Sequence, residues 1–308
     1  MKIAVFGGTG FVGKYLLKSL IADNHEIYTL VRNGSEHKIQ HLDNINIING
    51  SITNNTSLTQ TIMNCSVVIY NIGAIREFKS KGITYKKLHY DYAKLVIDQA
   101  KKCNIQHIIL MSANGVKQDG TGYQNTKYMA EKYLKKSGLN YTIFRPSLIF
   151  GEPKNDQEFC TQLRDTMIRL PFPAPLFFSG FNIFKAAQFE MSPIHIKNVS
   201  EFFVKSIKND KHYMQTYELG GLQSYNWKEI ISIISAAVQK TKWMVPVPVD
   251  LIKILAFLFD RFKFFPITRD QITMLLEGNT CQSRQLFNEF DITPIEFSIK
   301  NLSYLHQK

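Results

Sequence analysis

Over its first 150 residues the chain alternates short apolar runs with stretches of helical period. KIAVF (2–6) has strand length and is followed by FVGKYLLKSLIADN (11–24), where apolar residues recur at helical spacing. EIYTLVR (26–32), INII (45–48), SVVIYNI (66–72), HIILMS (107–112) and YTIFRPS (141–147) are further strand-like runs. Helical stretches near 57–63, 85–103 and 123–137 lie between them. Strands that alternate with helices predict a parallel sheet covered on both faces and joined by right-handed crossovers.

Beyond about residue 150 the texture changes. LPFPAPLFFSGFNIF (170–184) is rich in Pro and Phe and has no clear period. SPIHI (192–196) reads as a short strand feeding the helix KNVSEFFVKSIKN (197–209). TYELGG (216–221) reads as another strand, and WKEIISIISAAVQK (227–240) is amphipathic. Residues 249–308 read as short helices broken by Pro266 and Pro294. The expected organisation is residues 1–150 as one domain and 151–308 as a smaller mixed lobe, with 192–220 returning to the first sheet. No run approaches the roughly 18 apolar residues of a membrane span. DLIKILAFLFDRFKFFP (250–266) mixes apolar residues with Lys253, Arg261 and Lys263, so it is a candidate for lying against an anionic membrane or a partner, joined by the loop 172–178. The competing reading is that both segments bury their phenylalanines in the lobe itself.

Composition narrows the class. Of 308 residues 44% are apolar and 20% charged, which suits an ordered globular protein with a sizeable core. Cys65, Cys103, Cys160 and Cys281 lie far apart with no metal-ligand spacing, which fits buried thiols in a reducing compartment and predicts no metal site. MKIAVFGG reads as a first strand rather than a secretory signal or transit peptide. The expected location is therefore cytoplasmic, with a peripheral place on the inner membrane as the candidate refinement. A formal net charge of +12 draws the chain toward anions. The lysines are spread out, without a basic run or recognition motif, so nucleic acid is not an expected partner.

AVFGGTGFVGKYLL sets a strand, a glycine turn and a helix in that order. Gly8, Gly10 and Gly13 satisfy G-x-G-x-x-G, and Gly7, Gly10 and Gly13 are three apart. In such a turn one glycine permits the tight bend, one lets the backbone approach a pyrophosphate, and one lets helix and strand pack closely. The helix N-terminus then offers N–H groups and a positive dipole end to phosphates. The flanking strand and helix make this a strong signal for a dinucleotide. The fold class is thus α/β, a Rossmann-type doubly wound parallel sheet.

Where an NAD-binding domain usually carries Asp or Glu, at the end of the second strand, this chain has Arg32. A guanidinium pairs with a 2′-phosphate in a bidentate fork and can stack on adenine. Lys14 can add positive charge nearby. NADP(H) is therefore expected in preference to NAD(H).

Several segments together resemble an atypical or extended short-chain dehydrogenase/reductase of the epimerase/dehydratase-like kind. They are GGTGFVG (7–13), Arg32, NIGA (71–74), MSANG (111–115), YQNTK (123–127) and FRPSLIFG (144–151). MSPIHIKNVSEFFV, YELGGLQSYNWKEII, VPVPVDLIKIL and FFPITRDQITMLLEGN follow in the order seen in relatives of the nucleotide-binding accessory subunit of respiratory complex I. The resemblance covers nearly the whole chain. It implies tight NADPH binding, a respiratory-chain or quinone-pathway protein as candidate partner, and a link to ubiquinone metabolism. Carried over residue by residue, the cofactor set is Gly7, Thr9, Gly10, Phe11, Val12, Gly13, Arg32, Ser51, Ile52, Asn71, Gly73, Lys127 and Pro146. Two departures stand out. Ser51 occupies the place after the third strand where the family often has Asp, and Lys197 and Asn198 replace a commonly acidic stretch.

Four of the fourteen tyrosines have a lysine four residues on, so the spacing alone carries little. Only Tyr123 and Lys127 follow the fifth strand and open the next helix, where this class places its proton-transfer pair beside the nicotinamide. Tyr123 would be the general acid or base, and Lys127 would hold the ribose and lower the tyrosine pKa. Ser112 is the serine available to orient a substrate oxygen, although the usual position falls at Ala113 or Asn114. His195 reads as a strand histidine, and Trp227 and Trp243 as packing residues. Three functions remain open: an NADPH-holding accessory protein, an NADPH-dependent reductase or epimerase on a carbonyl, quinone-pathway or nucleotide-sugar compound, and a redox-sensing partner.

Overall fold

The alternating pattern of the first half folds as strands and helices in turn. A computed structural model describes residues 1–154, 156–180, 182–207, 209–259 and 267–306. Among them β1 (Lys2–Phe6), β2 (Glu26–Val31), β3 (Ile45–Asn49), β4 (Val67–Tyr70), β5 (His107–Met111), β6 (Tyr141–Pro146) and β7 (Gln215–Leu219) form one sheet in the order β7-β6-β5-β4-β1-β2-β3. The pairings from β3 across to β6 are parallel, with Val5 opposite Thr29 on one side and Ile69 on the other.

Side chains alternate across the sheet, and each face has its own helices. Ala4, Phe6, Val68, Tyr70, Ile108 and Leu110 join the core formed with α2 (Asn55–Ile62), α3 (Tyr92–Lys102) and α4 (Gly122–Lys135). α1 (Phe11–Ala22) and α5 (Ile196–Ile207) pack on each other and bury Leu16, Leu17, Leu20, Phe202 and Phe203. Sheet residues buried on both faces explain why the strands read as continuous apolar runs rather than alternating ones.

From β1 the chain winds outward to β3, then crosses back to start β4 on the other side of β1. The carboxyl ends of β1 and β4 therefore flank the topological switch point, where open α/β sheets bind ligands.

Contact clustering divides the chain into two compact units. One comprises Met1–Pro146, Ile196–Glu218 and Phe290–Ile292, and the other Ser147–His195, Leu219–Glu289 and Thr293–Lys308. In the first unit the return segment supplies α5 and most of β7. SPIHI does not join the large sheet, since Ile194–His195 pairs with Ile149–Phe150 inside the second unit. His195 is buried there with its ring edge-on to Phe150.

The second unit holds a ribbon absent from the sequence reading, in which Ala174–Phe178 pairs in parallel with Met244–Pro248. Prolines in both strands hid their periodicity. Its core gathers Phe150, Phe177, Trp227, Ile230, Ile231, Ile234, Phe297 and Leu302. Trp227 packs there as expected, but Trp243 is 80% exposed and packs in no core. Buried Glu158 caps the following turn, accepting from the Cys160 and Thr161 N–H groups at 2.7 and 2.6 Å and from the Tyr304 hydroxyl at 3.1 Å. Of the apolar stretch 250–266, the helix Val249–Phe259 covers the first part, and 260–266 lie outside the described residues. No helix among the described residues is long and apolar enough to cross a membrane.

The turn after β1 has no room for side chains. A Cβ at Gly13 would sit 2.1 Å from the Gly7 carbonyl oxygen, and both groups are backbone, so neither can swing away. Gly13→Ala is expected to lower stability by at least ~1–3 kcal/mol, the usual cost of overpacking. Urea unfolding monitored by circular dichroism checks this, and an unchanged midpoint would contradict it.

Candidate functional site

The glycine turn is shaped for an anion. Gly7 has φ +94°, and a Cβ there would lie 2.8 Å from the Asn71 carbonyl oxygen at the end of β4. The backbones that follow β1 and β4 thus meet directly. Gly10 is the N-cap of α1, with no side-chain cap and no acidic residue in the first turn. A Cβ at Gly10 would meet only the Gly7 oxygen, at 3.7 Å, so the approach to the helix end is open. Thr9, Phe11, Val12 and Gly13 therefore present backbone N–H groups and the positive end of a twelve-residue helix at the switch point, while the Gly10 N–H closes the turn on the Gly7 carbonyl at 3.3 Å.

Arg32 follows β2, is exposed, and has no side-chain hydrogen bond or ion pair among the described residues. Ser51 follows β3 with its hydroxyl 2.9 Å from that of Thr53, and Ile52 is buried behind it. Asn54 caps α2 by accepting from the Ser57 N–H at 3.0 Å. These residues edge the β1–β2–β3 side of the switch point, and no carboxylate stands among positions 32, 51 and 52.

On the other side, the loop after β4 is held by a residue that the sequence marks only as a weaker candidate on the helix after the fourth strand. α3 is entered through a π-helical turn, Lys86–Asp91, which carries His89 inward. His89 Nε2 accepts from the Ala74 N–H at 3.2 Å, so the ring proton is on Nδ1 and faces the Thr126 hydroxyl at 3.0 Å. Tyr85 stacks on the imidazole and Tyr123 meets it edge-on, with centroids 5.4 and 5.0 Å away. The Tyr70 hydroxyl fixes the wider turn by donating to the Leu88 carbonyl at 2.6 Å. His89 thereby ties the loop carrying Asn71 and Gly73 to α4.

α4 opens with a capping box. Thr121 accepts from the Gln124 N–H, and Gln124 Oε1 accepts from the Thr121 N–H at 2.8 Å. The T-x-x-Q spacing is a helix-start signal that the sequence reading did not use. Gln124 Nε2 also donates to the Gly115 carbonyl, fastening the loop after β5. Tyr123 is half-buried, and its hydroxyl has no hydrogen-bond partner among the described residues. Lys127 is buried, its Nζ donates to the Met111 carbonyl at 3.0 Å, and a Cβ at Gly73 would lie 3.6 Å from it. Nζ lies 5.7 Å from the Tyr123 ring centroid.

The structure brings Lys127, Ser112 and His89 to one small cavity lined also by Tyr70, Ile72 and Ala130. Ser112 and Asn114 N–H groups both pair with β6, to Phe144 and Pro146 carbonyls at 2.7 and 2.9 Å, so extended pairing continues past β5. That register gives Ser112 the α4 side of the sheet. Its hydroxyl is buried and has no hydrogen-bond partner among the described residues. Pro146 is buried at the end of β6.

Electrostatics depart from the expectation in one respect. Burial pushes the Tyr123 phenol above its ordinary value, and Lys127 does not draw it down. Burial also pushes Lys127 down to about 8, opposed by Glu131 one turn on. Glu131, itself buried, is gripped by Arg145 through two hydrogen bonds of 2.9 and 2.6 Å. This pair locks α4 to β6, and removing one partner of such a pair typically costs about 3–5 kcal/mol. Among the described residues no group of His, Cys, Asp and Glu is placed to hold a metal.

The strand order, the uncapped glycine turn at the switch point and the cation-bearing helix beside it define a Rossmann protein for a nicotinamide dinucleotide. The profile of a family described as NAD(P)H-binding matches residues 7–168, and the chain belongs to that family. It is 24% identical over 277 residues to the mitochondrial NADH dehydrogenase (ubiquinone) 1 alpha subcomplex subunit 9 of Dictyostelium discoideum, covering 87% of this chain and 73% of the relative. It is 23% identical over 283 residues to the UDP-glucose 4-epimerase of Vibrio cholerae, covering 84% and 82%. The structure of MoeE5 in complex with UDP-glucose and NAD shares the fold at a TM-score of 0.72 and 14% identity, over 100% and 98% of the two chains. The likeness to atypical short-chain dehydrogenases/reductases seen in the sequence therefore holds.

The buried histidines of this unit give stability a pH dependence. Burial, and then the Lys127 cation, holds His89 down to about 2; burial, and then His212, holds His107 down to about 4. The unfolded chain protonates both near pH 6.5. Between those limits the unfolded state binds more protons, so stability is full above pH 6.5 and falls as pH drops below it, by up to ~1.4 kcal/mol per pH unit for each histidine. Thermal melts from pH 7.5 to 4.5 should show this fall, and His89→Gln should flatten it; an equal slope in the variant would contradict the assignment.

Proposed function

We propose that the protein holds NADP(H), with the dinucleotide serving chiefly to complete and rigidify the fold, in an accessory or assembly role linked to respiratory or quinone metabolism. The observation that carries this reading is the state of the α4 pair. Lys127 is already bonded to the Met111 carbonyl and Tyr123 is raised by burial rather than primed by a cation. The α1 N-terminus is uncapped and open, while Ser112, Tyr123 and Lys127 are not linked as a proton relay among the described residues. Relatives named as subunits of mitochondrial NADH dehydrogenase (ubiquinone) and NADH-ubiquinone oxidoreductase support the respiratory link, and a respiratory-chain protein is the partner class in this reading. A peripheral place on an anionic membrane belongs to the same reading.

NADP(H) is preferred over NAD(H) because Arg32, exposed and without a partner among the described residues, stands where a carboxylate would exclude the 2′-phosphate. The pyrophosphate rests on residues 9–13, the adenine ribose faces Arg32, Ser51 and Ile52, and the nicotinamide ribose faces Asn71, Gly73 and Lys127, with Pro146 toward the ring. A charge-assisted bond of this kind is worth on the order of 1.5–3 kcal/mol. Arg32→Asp is expected to reverse or level the NADPH-to-NADH ratio of binding constants measured by calorimetry. Equal affinity of the unmodified protein for both would contradict the preference.

One observation favours a second reading, an NADPH-dependent reductase or epimerase. The Tyr123 hydroxyl has no partner among the described residues, so a substrate oxygen can take that place, and catalytic hydrogen bonds often form only once the ligand is bound. Lys127→Ala weakens dinucleotide binding under either reading. Tyr123→Phe separates them. In an accessory protein, it leaves NADPH affinity and the melting temperature unchanged, and no carbonyl acceptor oxidises bound NADPH. In an enzyme, it lowers turnover by roughly two to four orders of magnitude.

A further inference from the structure

The parallel ribbon of the second unit ends in an exposed aromatic and basic tip. The Ala174 N–H donates to the Trp243 carbonyl at 2.7 Å, and Lys242 Nζ donates to the Leu170 carbonyl at 2.6 Å. Segments 169–173 and 240–243 therefore lie side by side. Trp243 is 80% exposed, Phe172 69% and Leu170 44%, with Pro171 and Pro173 also exposed between them. The other tryptophan, Trp227, is 3% exposed and stacks on Phe177. Water contact at the tip is thus a property of this place and not of the residue type.

Within the two segments the charges have one sign. Arg169, Lys240 and Lys242 belong to the two segments, and neither 166–178 nor 238–249 contains an Asp or Glu. Asp165, just before them, is engaged by Arg164 at 2.7 Å and by Arg169 at 3.6 Å. Tryptophan is enriched at the headgroup level of bilayers, and lysine stems lie along apolar surface while their ammonium groups reach phosphate. An isologous contact between two copies would instead set three cations against three cations.

We propose that this tip, with Trp243 and Phe172 as wedges, Arg169 and Lys240 as headgroup contacts and Lys242 tying the two segments together through the Leu170 carbonyl, seats the protein peripherally on an anionic lipid surface. It deepens the peripheral membrane place in the proposed function by naming the surface, and it does not depend on the bound dinucleotide.

The chain's two tryptophans make the test direct. The full-length protein is mixed with vesicles of phosphatidylcholine alone or containing phosphatidylglycerol, and tryptophan emission and co-flotation are followed. Trp227 is sealed in the core and gives a constant background. Anionic vesicles should shift the Trp243 emission to the blue, brominated lipid should quench it, and high salt should reverse both. Lys240→Ala should weaken partitioning about fivefold, since each cation near such a surface contributes roughly that factor. Trp243→Ala should abolish the shift and reduce flotation, with NADPH affinity unchanged as the check on folding. The proposal is overturned by three results: no flotation at low salt, equal flotation with neutral vesicles, or a concentration-dependent dimer that buries Trp243 without lipid. Loss of vesicle binding with intact NADPH binding would leave the dinucleotide reading standing.

Discussion

Everything in the first unit is referenced to a contact between backbones: Gly13 on Gly7, and Gly7 on the carbonyl of Asn71. A Cβ would come within 2.1 Å of an oxygen at the first contact and 2.8 Å at the second. The absence of side chains lets β1, α1 and β4 meet at van der Waals distance, and that fixes the axis of α1. Because Gly10 supplies no cap, the first-turn N–H groups of α1 stay available to a ligand at the switch point. A pyrophosphate bound there would satisfy donors that folding leaves open, so binding would complete the helix as well as fill a site. A ligand that binds only the native state stabilises it by mass action.

The opposite wall solves a harder problem, the burial of a cation. Lys127 is almost wholly removed from water, and the cost appears as a pKa brought down to about 8. Three features make it tolerable: the Met111 carbonyl as acceptor, Glu131 one turn along, and His89 kept neutral by burial and by the same cation. A protonated His89 would put a second positive charge beside Lys127 and would turn Nε2 from acceptor into donor, releasing the Ala74 N–H. The pH sensitivity of the fold and the placement of the β4 loop are therefore one device. Arg145 then keeps Glu131 in place, so the order of charges from β6 to the loop is Arg145, Glu131, Lys127 and neutral His89.

The sheet, its helices and the glycine turn could be read from the sequence because they rest on local signals: apolar runs of strand length, helical period, and glycines where backbone must meet backbone. The Thr121–Gln124 capping box belongs with them. His89 could not be read that way. It is a lone histidine in a helical stretch, and it points inward because a π-helical turn changes the register at Lys86–Asp91, which no periodicity count detects. The ribbon of Ala174–Phe178 and Met244–Pro248 was hidden for a related reason. Its prolines break the alternation, and its pairing joins segments about seventy residues apart. The expected effect of Lys127 on Tyr123 was inferred from the pair's place at the start of the helix after β5, and place in the chain carries no information about burial. The fold places the phenol where desolvation dominates.

That last point bears on how holding and turning over a dinucleotide differ on one scaffold. Both need the cradle, the ribose-binding lysine and an excluded-water wall. Only turnover needs a proton donor whose pKa approaches the working pH. A tyrosine raised by burial donates poorly unless something stabilises its phenolate, and here the nearby ammonium is spent on a main-chain carbonyl. Releasing Lys127 from Met111 toward a bound ribose would move the cation without adding one. The balance between the two roles therefore turns on where one ammonium points once the dinucleotide is in place, and not on which residues the chain contains.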